Sequence, residues 1–211
     1  MPGKKVSENT IRRLSHYSRC LRRARAEGTA VVTSKYLSGK CDISSAAVRK
    51  DLAVFGEFGK QGYGYEVSDL LKNIERILGT CEPPPVIVIG AGNIGSALLE
   101  SGLEGTGRYT YSAIFDNDQK VIGKTISGIT IHPVNKLSEV VGEHANFIAI
   151  LAVPPGDGQD AVNNLISRGC RAILSFTPGP FDIPDGVVLR YVEVFTELDI
   201  LTHSMKCRDR S

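Results

Sequence analysis

Three glycines stand close together in the middle of the chain, between an apolar run and a stretch with helical spacing. Gly90, Gly92 and Gly95 form the pattern GxGxxG directly after the apolar residues 85–89. In that setting the first glycine permits a tight turn, the second lets backbone approach a pyrophosphate, and the third allows a helix to pack closely on a strand. The start of the helix adds unpaired N–H groups and positive potential. We therefore expect the whole loop to hold a dinucleotide pyrophosphate: Gly90, Ala91, Gly92, Asn93, Ile94 and Gly95.

A carboxylate stands at the end of the next apolar run. Asp116 follows the predicted strand 109–115 and lies 21 residues after Gly95. An acidic residue near that spacing accepts hydrogen bonds from the adenosine ribose. A carboxylate would repel a 2′-phosphate, so NAD and NADH are the favoured ligands. Residues after two later strands should line the nicotinamide side, because strand ends of a parallel sheet meet at one edge: Ala152, Val153, Pro154, Phe176 and Thr177.

Positive charge is concentrated in the first part of the chain. Residues 1–80 hold 15 Lys and Arg against 8 Asp and Glu, whereas residues 81–211 hold 10 against 15. The overall formal charge of +2 conceals this asymmetry. Because neutralising phosphates contributes much of the affinity for nucleic acid, a basic segment joined to a mildly acidic one indicates a nucleic-acid-binding module with a second module attached.

The spacing of apolar residues predicts three helices in the basic segment, over 9–27, 34–40 and 45–55. Thr33 and Ser44 are suited to cap the second and third. Six arginines of the first helix should lie mostly on its outer face: Arg12, Arg13, Arg19, Arg22, Arg23 and Arg25.

A tight turn at 41–43 separates the second predicted helix from the third. Two short helices joined in this way form a helix-turn-helix, whose second helix enters the major groove of DNA. Val48 and Leu52 would face the core, and the small residues at the start of the third helix would allow close approach to base edges. The expected DNA-contacting residues here are Ser44, Ser45, Ala46, Arg49 and Lys50.

A glycine-rich stretch with interleaved aromatic residues follows, over 56–65. It predicts a hairpin wing, in which glycines let the tip approach a narrow groove and Lys60 contacts DNA. Ser68 would then cap a helix ending at Leu78. The wing adds four expected DNA contacts: Lys60, Gln61, Gly62 and Tyr63.

The chain as a whole should form two domains and a terminal helix. Gly79 and the prolines at 83–85 suit a helix end followed by a stiff linker. We expect a winged helix-turn-helix domain over 1–80 and a Rossmann-like, doubly wound parallel sheet over 81–193. The sheet follows from apolar runs at 128–132, 146–153, 172–176 and 187–192 that alternate with helical stretches at 134–141 and 158–168.

Other classes of site are disfavoured by composition. The five cysteines are scattered without a CxxC pair, which argues against a disulfide framework or a metal site. The polar, basic N-terminus and the lack of a long apolar run predict a cytoplasmic protein without a membrane partner. A hydride-transfer enzyme needs a substrate domain and an acid or base, but the companion domain here is a basic winged helix, and His132 and His144 have no visible orienting partner. We therefore expect no catalytic residues and a regulatory dinucleotide.

Three segments closely resemble the bacterial Rex redox-sensing transcriptional repressors. They are Arg49–Leu52 with Phe55–Gly56, the wing 58–65, and the loop 90–98. The resemblance spans nearly the whole chain. It implies a homodimer that binds AT-rich inverted repeats of double-stranded DNA when NADH is scarce and leaves them when NADH binds. It also implies that the helix of residues 194–211 reaches across the dimer with an apolar stripe of Phe195, Leu198, Leu201 and Met205.

This chain departs from the family's usual pattern at three places. Gln61 stands where the family's wing usually has arginine, Ser101 where many members have tyrosine, and Glu193 where many have aspartate. The resemblance maps an interdomain sensing contact onto Arg19 and Glu193. Two alternatives stay open from the sequence: a regulator of the same architecture that senses another nucleotide such as coenzyme A, and a small NAD-dependent enzyme.

Overall fold

The fold was analysed in a computed structural model that describes residues 6–56, 59, 63–101, 108–142 and 146–208. The chain divides into two compact units, Met1–Pro83 and Pro84–Ser211.

The first unit is a bundle of four helices with a two-stranded ribbon. Its elements in chain order are α1 (Glu8–Ala26), β1 (Val31–Val32), α2 (Ser34–Cys41), α3 (Ser45–Ala53), β2 (Tyr65–Glu66) and α4 (Val67–Leu78). The predicted caps of α2 and α3 are confirmed, since the hydroxyls of Thr33 and Ser44 accept hydrogen bonds from the backbone N–H of Tyr36 and Ala47. Helices α1, α2, α3 and α4 enclose an apolar core that includes Leu14, Leu21, Leu37, Val48, Leu52, Leu70, Leu71 and Ile74.

Two local predictions for this unit were wrong. Strand β1 was missed, and it is the antiparallel partner of β2. Helix α4 is capped by Glu66, not by Ser68, because its carboxylate accepts a 2.7 Å hydrogen bond from the N–H of Asp69. The helix can therefore start at Val67, whose side chain is buried in the core.

The second unit is built around a sheet of seven strands. Its elements are β3 (Val86–Ile89), α5 (Asn93–Ser101), β4 (Tyr111–Asp116), β5 (Thr125–Ile126), β6 (Ile129–Pro133), α6 (Leu137–Val141), β7 (Ile148–Leu151), α7 (Gly158–Ser167), β8 (Ala172–Ser175), β9 (Val188–Tyr191) and α8 (Val194–Arg208). A 3₁₀ turn over Val134–Lys136 replaces the first part of the helix predicted at 134–141.

The strand order is β5-β6-β4-β3-β7-β8-β9. All neighbouring pairs are parallel except β5 with β6, a short hairpin that the sequence reading missed. Without β5 this is the doubly wound order of dinucleotide-binding domains, so the predicted fold class is confirmed. The order reverses between β3 and β7, and ligands bind in such sheets at the carboxyl ends of the strands flanking that point.

Each face of the sheet carries its own apolar core. Because side chains alternate along a strand, Ile87 and Ile89 of β3 pack on the face covered by α6 and α7, whereas Val86 and Val88 pack on the face covered by α5. Every residue of α8 from Val194 to Lys206 is exposed. None of the helices in the described part of the chain is long and apolar enough to cross a membrane.

Candidate functional site

The glycine loop lies at the carboxyl end of β3, beside the reversal of strand order. Gly90 has φ +102°, and a Cβ there would lie 2.3 Å from the carbonyl oxygen of Ala152. A Cβ on Gly95 would lie 1.9 Å from the carbonyl oxygen of Gly90. The fold itself therefore requires both glycines, one for the turn and one for close packing of α5 on β3. Ser96 fixes the loop further by donating a 2.9 Å hydrogen bond to the carbonyl of Ala91.

Gly92 differs from the other two glycines of the loop. Apart from its neighbours in the chain, no heavy atom of the described residues would lie within 4 Å of a Cβ on Gly92, and its backbone is not in the left-handed region. The fold thus gives no reason for glycine at this position. The open space above Gly92, at the start of α5, is where a pyrophosphate could approach the backbone and the free N–H groups of the helix.

The carboxylate of Asp116 faces this loop from the end of β4. One oxygen accepts a 2.6 Å hydrogen bond from the N–H of Ala91, and the other accepts a 2.8 Å bond from the N–H of Asp118. The sequence reading did not foresee that Asp116 would anchor the glycine loop. Each carboxylate oxygen can accept a further hydrogen bond, so ribose hydroxyls can still bind there.

Residues after β7 and β8 form the other wall. The hydroxyl of Thr177 donates to the carbonyl of Val153 at 2.8 Å and accepts from its N–H at 3.1 Å, which ties the two loops together. Thr177 is only 2% exposed, so its side chain positions the wall. Ala152 and Val153 are half-buried and Pro154 is exposed at the end of β7.

A groove of about 420 Å³ opens next to this wall. Ile94 and Phe176 line it, together with Glu193 and the first residues of α8. The carboxylate of Glu193 accepts a 3.1 Å hydrogen bond from the hydroxyl of Thr196. Arg19, the partner predicted for Glu193, is exposed on α1 in the first unit. Their contact stays a prediction.

The helix-turn-helix presents the expected surface. Ser44, Ala46, Arg49 and Lys50 are exposed, Ser45 is half-buried, and Val48 and Leu52 are buried as predicted. The Arg49 guanidinium donates a 3.2 Å hydrogen bond to the hydroxyl of Ser34, which links α3 to the start of α2. The first turn of α3 therefore offers small side chains flanked by two cations.

The orientation of α3 is fixed by a clamp that the sequence reading missed. Asp51 accepts two hydrogen bonds from the Arg13 guanidinium, at 2.6 and 2.7 Å, and a third from the Tyr17 hydroxyl at 2.9 Å. Burial alone would raise the pKa of Asp51, but the bonds from Arg13 and Tyr17 outweigh it and lower that pKa. Burial and the bond to Asp51 raise the pKa of Tyr17. We call these three residues the Asp51 clamp.

Two of the six arginines of α1 do not belong to the basic outer face expected from the sequence. The side chain of Arg13 points inward to Asp51, and Arg22 pairs with Glu75 of α4. Both arginines therefore hold helices together, because their partners lie on the helices packed against α1. Arg12, Arg19, Arg23 and Arg25 are exposed, as expected.

The wing is described only in part. Lys60, Gln61 and Gly62 lie outside the described residues, and Tyr63 is 69% exposed. A Cβ on Gly59 would lie 2.2 Å from the carbonyl oxygen of Gly64, so the two ends of the loop meet. A close approach of this kind suits the base of a wing.

Family models match both parts of the chain. A model described as "Putative DNA-binding protein N-terminus" matches residues 5–53, and a model described as "CoA binding domain" matches residues 82–179. Fold and site together define a DNA-binding domain joined to a nucleotide-binding domain, which is the composition of a ligand-responsive regulator.

Relatives of similar length show which family of ligand-responsive regulators this is. The chain is 42% identical over 206 residues to the redox-sensing transcriptional repressor Rex of Pelotomaculum thermopropionicum. This match covers 97% of this chain and 96% of that protein. The Rex of Carboxydothermus hydrogenoformans is also 42% identical, over 98% of this chain and 99% of the relative. The chain belongs to the Rex family of redox-sensing transcriptional repressors.

Solved structures agree with this placement. The crystal structure of RSP in complex with β-NAD⁺ and operator DNA matches with a TM-score of 0.87 and 30% identity, over 98% of this chain and 95% of that chain. RSP in complex with β-NADH matches with a TM-score of 0.84 and 27% identity, over 98% and 97% of the two chains.

Proposed function

We propose that this protein is a transcriptional repressor that binds NADH and NAD⁺ at the glycine loop and releases operator DNA when NADH binds. The observation that carries this proposal is the open space at Gly92, in a loop whose Ala91 N–H is held by the Asp116 carboxylate, in a chain that also holds a helix-turn-helix. The dinucleotide acts as a regulatory ligand, and the chain is not an enzyme. Phe176, Ile94 and the loop of Val153 are proposed to border the nicotinamide.

Replacing Asp116 with alanine should weaken NADH binding by roughly 1.5–3 kcal/mol, the scale of a hydrogen bond to a charged group. The loss has two sources, since the carboxylate would bind the ribose and also anchors Ala91. NADPH, which the carboxylate repels, should lose less binding affinity than NADH. Calorimetric titration measures both affinities, with the exposed Asp118→Ala as control. Unchanged NADH affinity in a folded Asp116→Ala protein would remove Asp116 from the site.

The repressor is proposed to act as a cytoplasmic homodimer joined through α8. Phe195 is 82% exposed, Met205 69% and Leu201 59%, so within the described part of the chain the stripe is left largely uncovered. Apolar side chains at this spacing on one helix suit a partner surface, and a second copy provides it. A two-fold dimer presents two α3 helices to an inverted repeat, with half-sites roughly 34 Å apart.

Replacing Arg49 or Lys50 with alanine should weaken operator binding. If the lost contact is to a phosphate, the slope of log affinity against log salt should fall by about 0.9 per contact. If the lost contact is to a base, sequence preference should relax by about 1–3 kcal/mol at that base pair. Selection from random duplexes supplies the operator, and the exposed Lys72 of α4 provides a matched alanine control. A selection that yields no inverted repeat would defeat the dimer model.

We propose that NADH moves the two winged helices out of register, and that Arg19 and Glu193 form a charge-assisted contact in one state of the dimer. Glu193→Gln should then alter NADH-induced DNA release while operator affinity without cofactor stays within about threefold, the scale of ordinary surface changes. Fluorescence anisotropy of labelled operator at increasing NADH measures both quantities. Wild-type release at every NADH concentration would exclude Glu193 from the switch.

Ligand identity is tested by titrating NADH, NAD⁺, NADPH and coenzyme A side by side. Coenzyme A is included because the matching model of residues 82–179 is described as a CoA binding domain. The proposal expects both NAD forms to bind and NADPH to bind more weakly, because Asp116 repels its 2′-phosphate. If the protein binds coenzyme A but does not bind NADH, it senses another nucleotide and is not a redox sensor.

A further inference from the structure

Two cysteines of the first unit lie in contact, and the proposed function uses neither. The sulfur of Cys20, on α1, is 3.0 Å from the sulfur of Cys41, the last residue of α2. Both side chains are half-buried. They border a groove of about 490 Å³, so a small molecule from solvent can reach them.

The charges around this pair are mostly positive. Arg19, Arg23 and Lys40 line the same groove together with Asp42, and nearby positive charge stabilises a thiolate. Burial, followed by the hydrogen bond and the charge of Cys20, raises the pKa of Cys41 to about 12, although Arg19 opposes the rise. Cys41 therefore keeps its proton, and either sulfur can donate in the 3.0 Å contact between the two. Cys41 is thus the less reactive thiol, so the first attack falls to Cys20 and Cys41 acts as the resolving thiol.

The pair is also close to bonding distance. A disulfide has a sulfur–sulfur length of about 2.05 Å, so the two atoms must approach by about 1 Å. In the cytoplasm, disulfides of this kind are transient and act in redox sensing.

We propose that Cys20 and Cys41 form a second, thiol-based redox site, oxidised by hydroperoxides, that lowers affinity for operator DNA. The Cys20 thiolate attacks the terminal oxygen of the hydroperoxide, so that an S–O bond forms and the O–O bond breaks. The other oxygen leaves as an alkoxide or hydroxide and takes up a proton, and Cys20 is left as a sulfenic acid. The Cys41 thiol then displaces that hydroxyl, which leaves as water, and the disulfide forms. Two electrons pass from the two thiols to one hydroperoxide.

The effect on DNA binding rests on the proposed function. Cys41 is followed by Asp42, the left-handed residue of the turn, and α3 begins at Ser45. Oxidation draws that turn toward α1, while the Asp51 clamp keeps the other end of α3 fixed to α1. The recognition helix must then tilt. We expect operator affinity to fall at least about fivefold, the scale of one weakened base contact.

The experiment uses the full chain with Cys81→Ser and Cys207→Ser, so that the remaining cysteines are the pair and the buried Cys170. The protein is treated with hydrogen peroxide, alkylated and digested with trypsin. We expect the peptides 20–22 and 41–49 to be joined, with a mass lower by two hydrogens than their sum. Cys41→Ser should instead leave a sulfenic acid on Cys20 that dimedone traps.

Operator binding is measured on the same samples without NADH. The oxidised protein should bind more weakly, dithiothreitol should restore binding, and a variant with Cys20→Ser and Cys41→Ser should not respond to peroxide. Absence of the joined peptides would overturn the proposal, as would a complete disulfide with unchanged operator affinity. If the reduced protein binds no operator at all, the proposed function fails, and the peptide linkage still decides whether the pair is oxidisable.

Discussion

Gly92→Ala is expected to weaken NADH binding by at least about tenfold, or 1.4 kcal/mol, while the protein stays as stable as the native chain. Apart from its chain neighbours, the added methyl group meets no heavy atom of the described residues within 4 Å, and the backbone at position 92 lies outside the left-handed region that strains alanine. It does occupy the space in which the pyrophosphate would contact the loop. The substitution therefore separates binding from folding. Thermal unfolding and calorimetric titration of NADH measure the two quantities.

Gly95→Ala is the matched comparison for that experiment. Its methyl group would lie 1.9 Å from the carbonyl oxygen of Gly90, so α5 must move away from β3 and the protein should lose stability. A Gly92→Ala protein that binds NADH normally would show that the open space is not the ligand site. A Gly92→Ala protein that unfolds like Gly95→Ala would show that glycine at position 92 serves the fold.

Asp51→Ala should destabilise the first unit by about 3 kcal/mol and abolish specific DNA binding. Removing one partner of a buried pair costs about 3–5 kcal/mol, and the lower figure applies because Arg13 is 31% exposed and can reach water. Without the carboxylate, α3 loses its tie to α1. Hydrogen exchange of α1 and α3 measures the stability of this unit separately. Tyr17→Phe, which removes one bond and leaves Arg13 in place, should cost about 1 kcal/mol.

The Asp51 clamp also predicts the pH dependence of this unit. The pKa of Asp51 is lower in the folded protein than in the unfolded chain. Its contribution to the free energy of unfolding is therefore fully present above about pH 4 and is lost as the pH falls through the folded pKa. The difference in stability between native protein and Asp51→Ala should accordingly be constant near neutrality and shrink in acid. A difference that does not change in acid would contradict the ionised clamp.

The sequence predicted those features whose signal is local. The glycine pattern after an apolar run and the hydroxyls of Thr33 and Ser44 act within a few residues, so their types and spacing are sufficient. The mostly parallel sheet of the second unit followed from the alternation of apolar runs and helices. The Ser127–Gly128 turn between β5 and β6 carried a weak signal, but two-residue strands are too short to show period-two alternation.

The features that the sequence did not predict join distant residues. Asp51 lies 34 and 38 positions from Tyr17 and Arg13, and on the sequence it resembles one more charge beside Arg49 and Lys50. Cys20 and Cys41 are 21 positions apart with no motif between them. In both cases only the packing of α1 against the helix-turn-helix brings the partners together. Thr177, which is expected to line the nicotinamide side, likewise bonds a distant residue, since its hydroxyl donates to the carbonyl of Val153, 24 positions away.

NADH and operator DNA are expected to bind competing states of one protein. The most direct test is the affinity of the reduced protein for its selected operator with and without saturating NADH, at one fixed salt concentration. We expect weaker operator binding with NADH, by roughly 5- to 150-fold, and an equal weakening of NADH binding by saturating operator. Equal operator affinity with and without saturating NADH would contradict it.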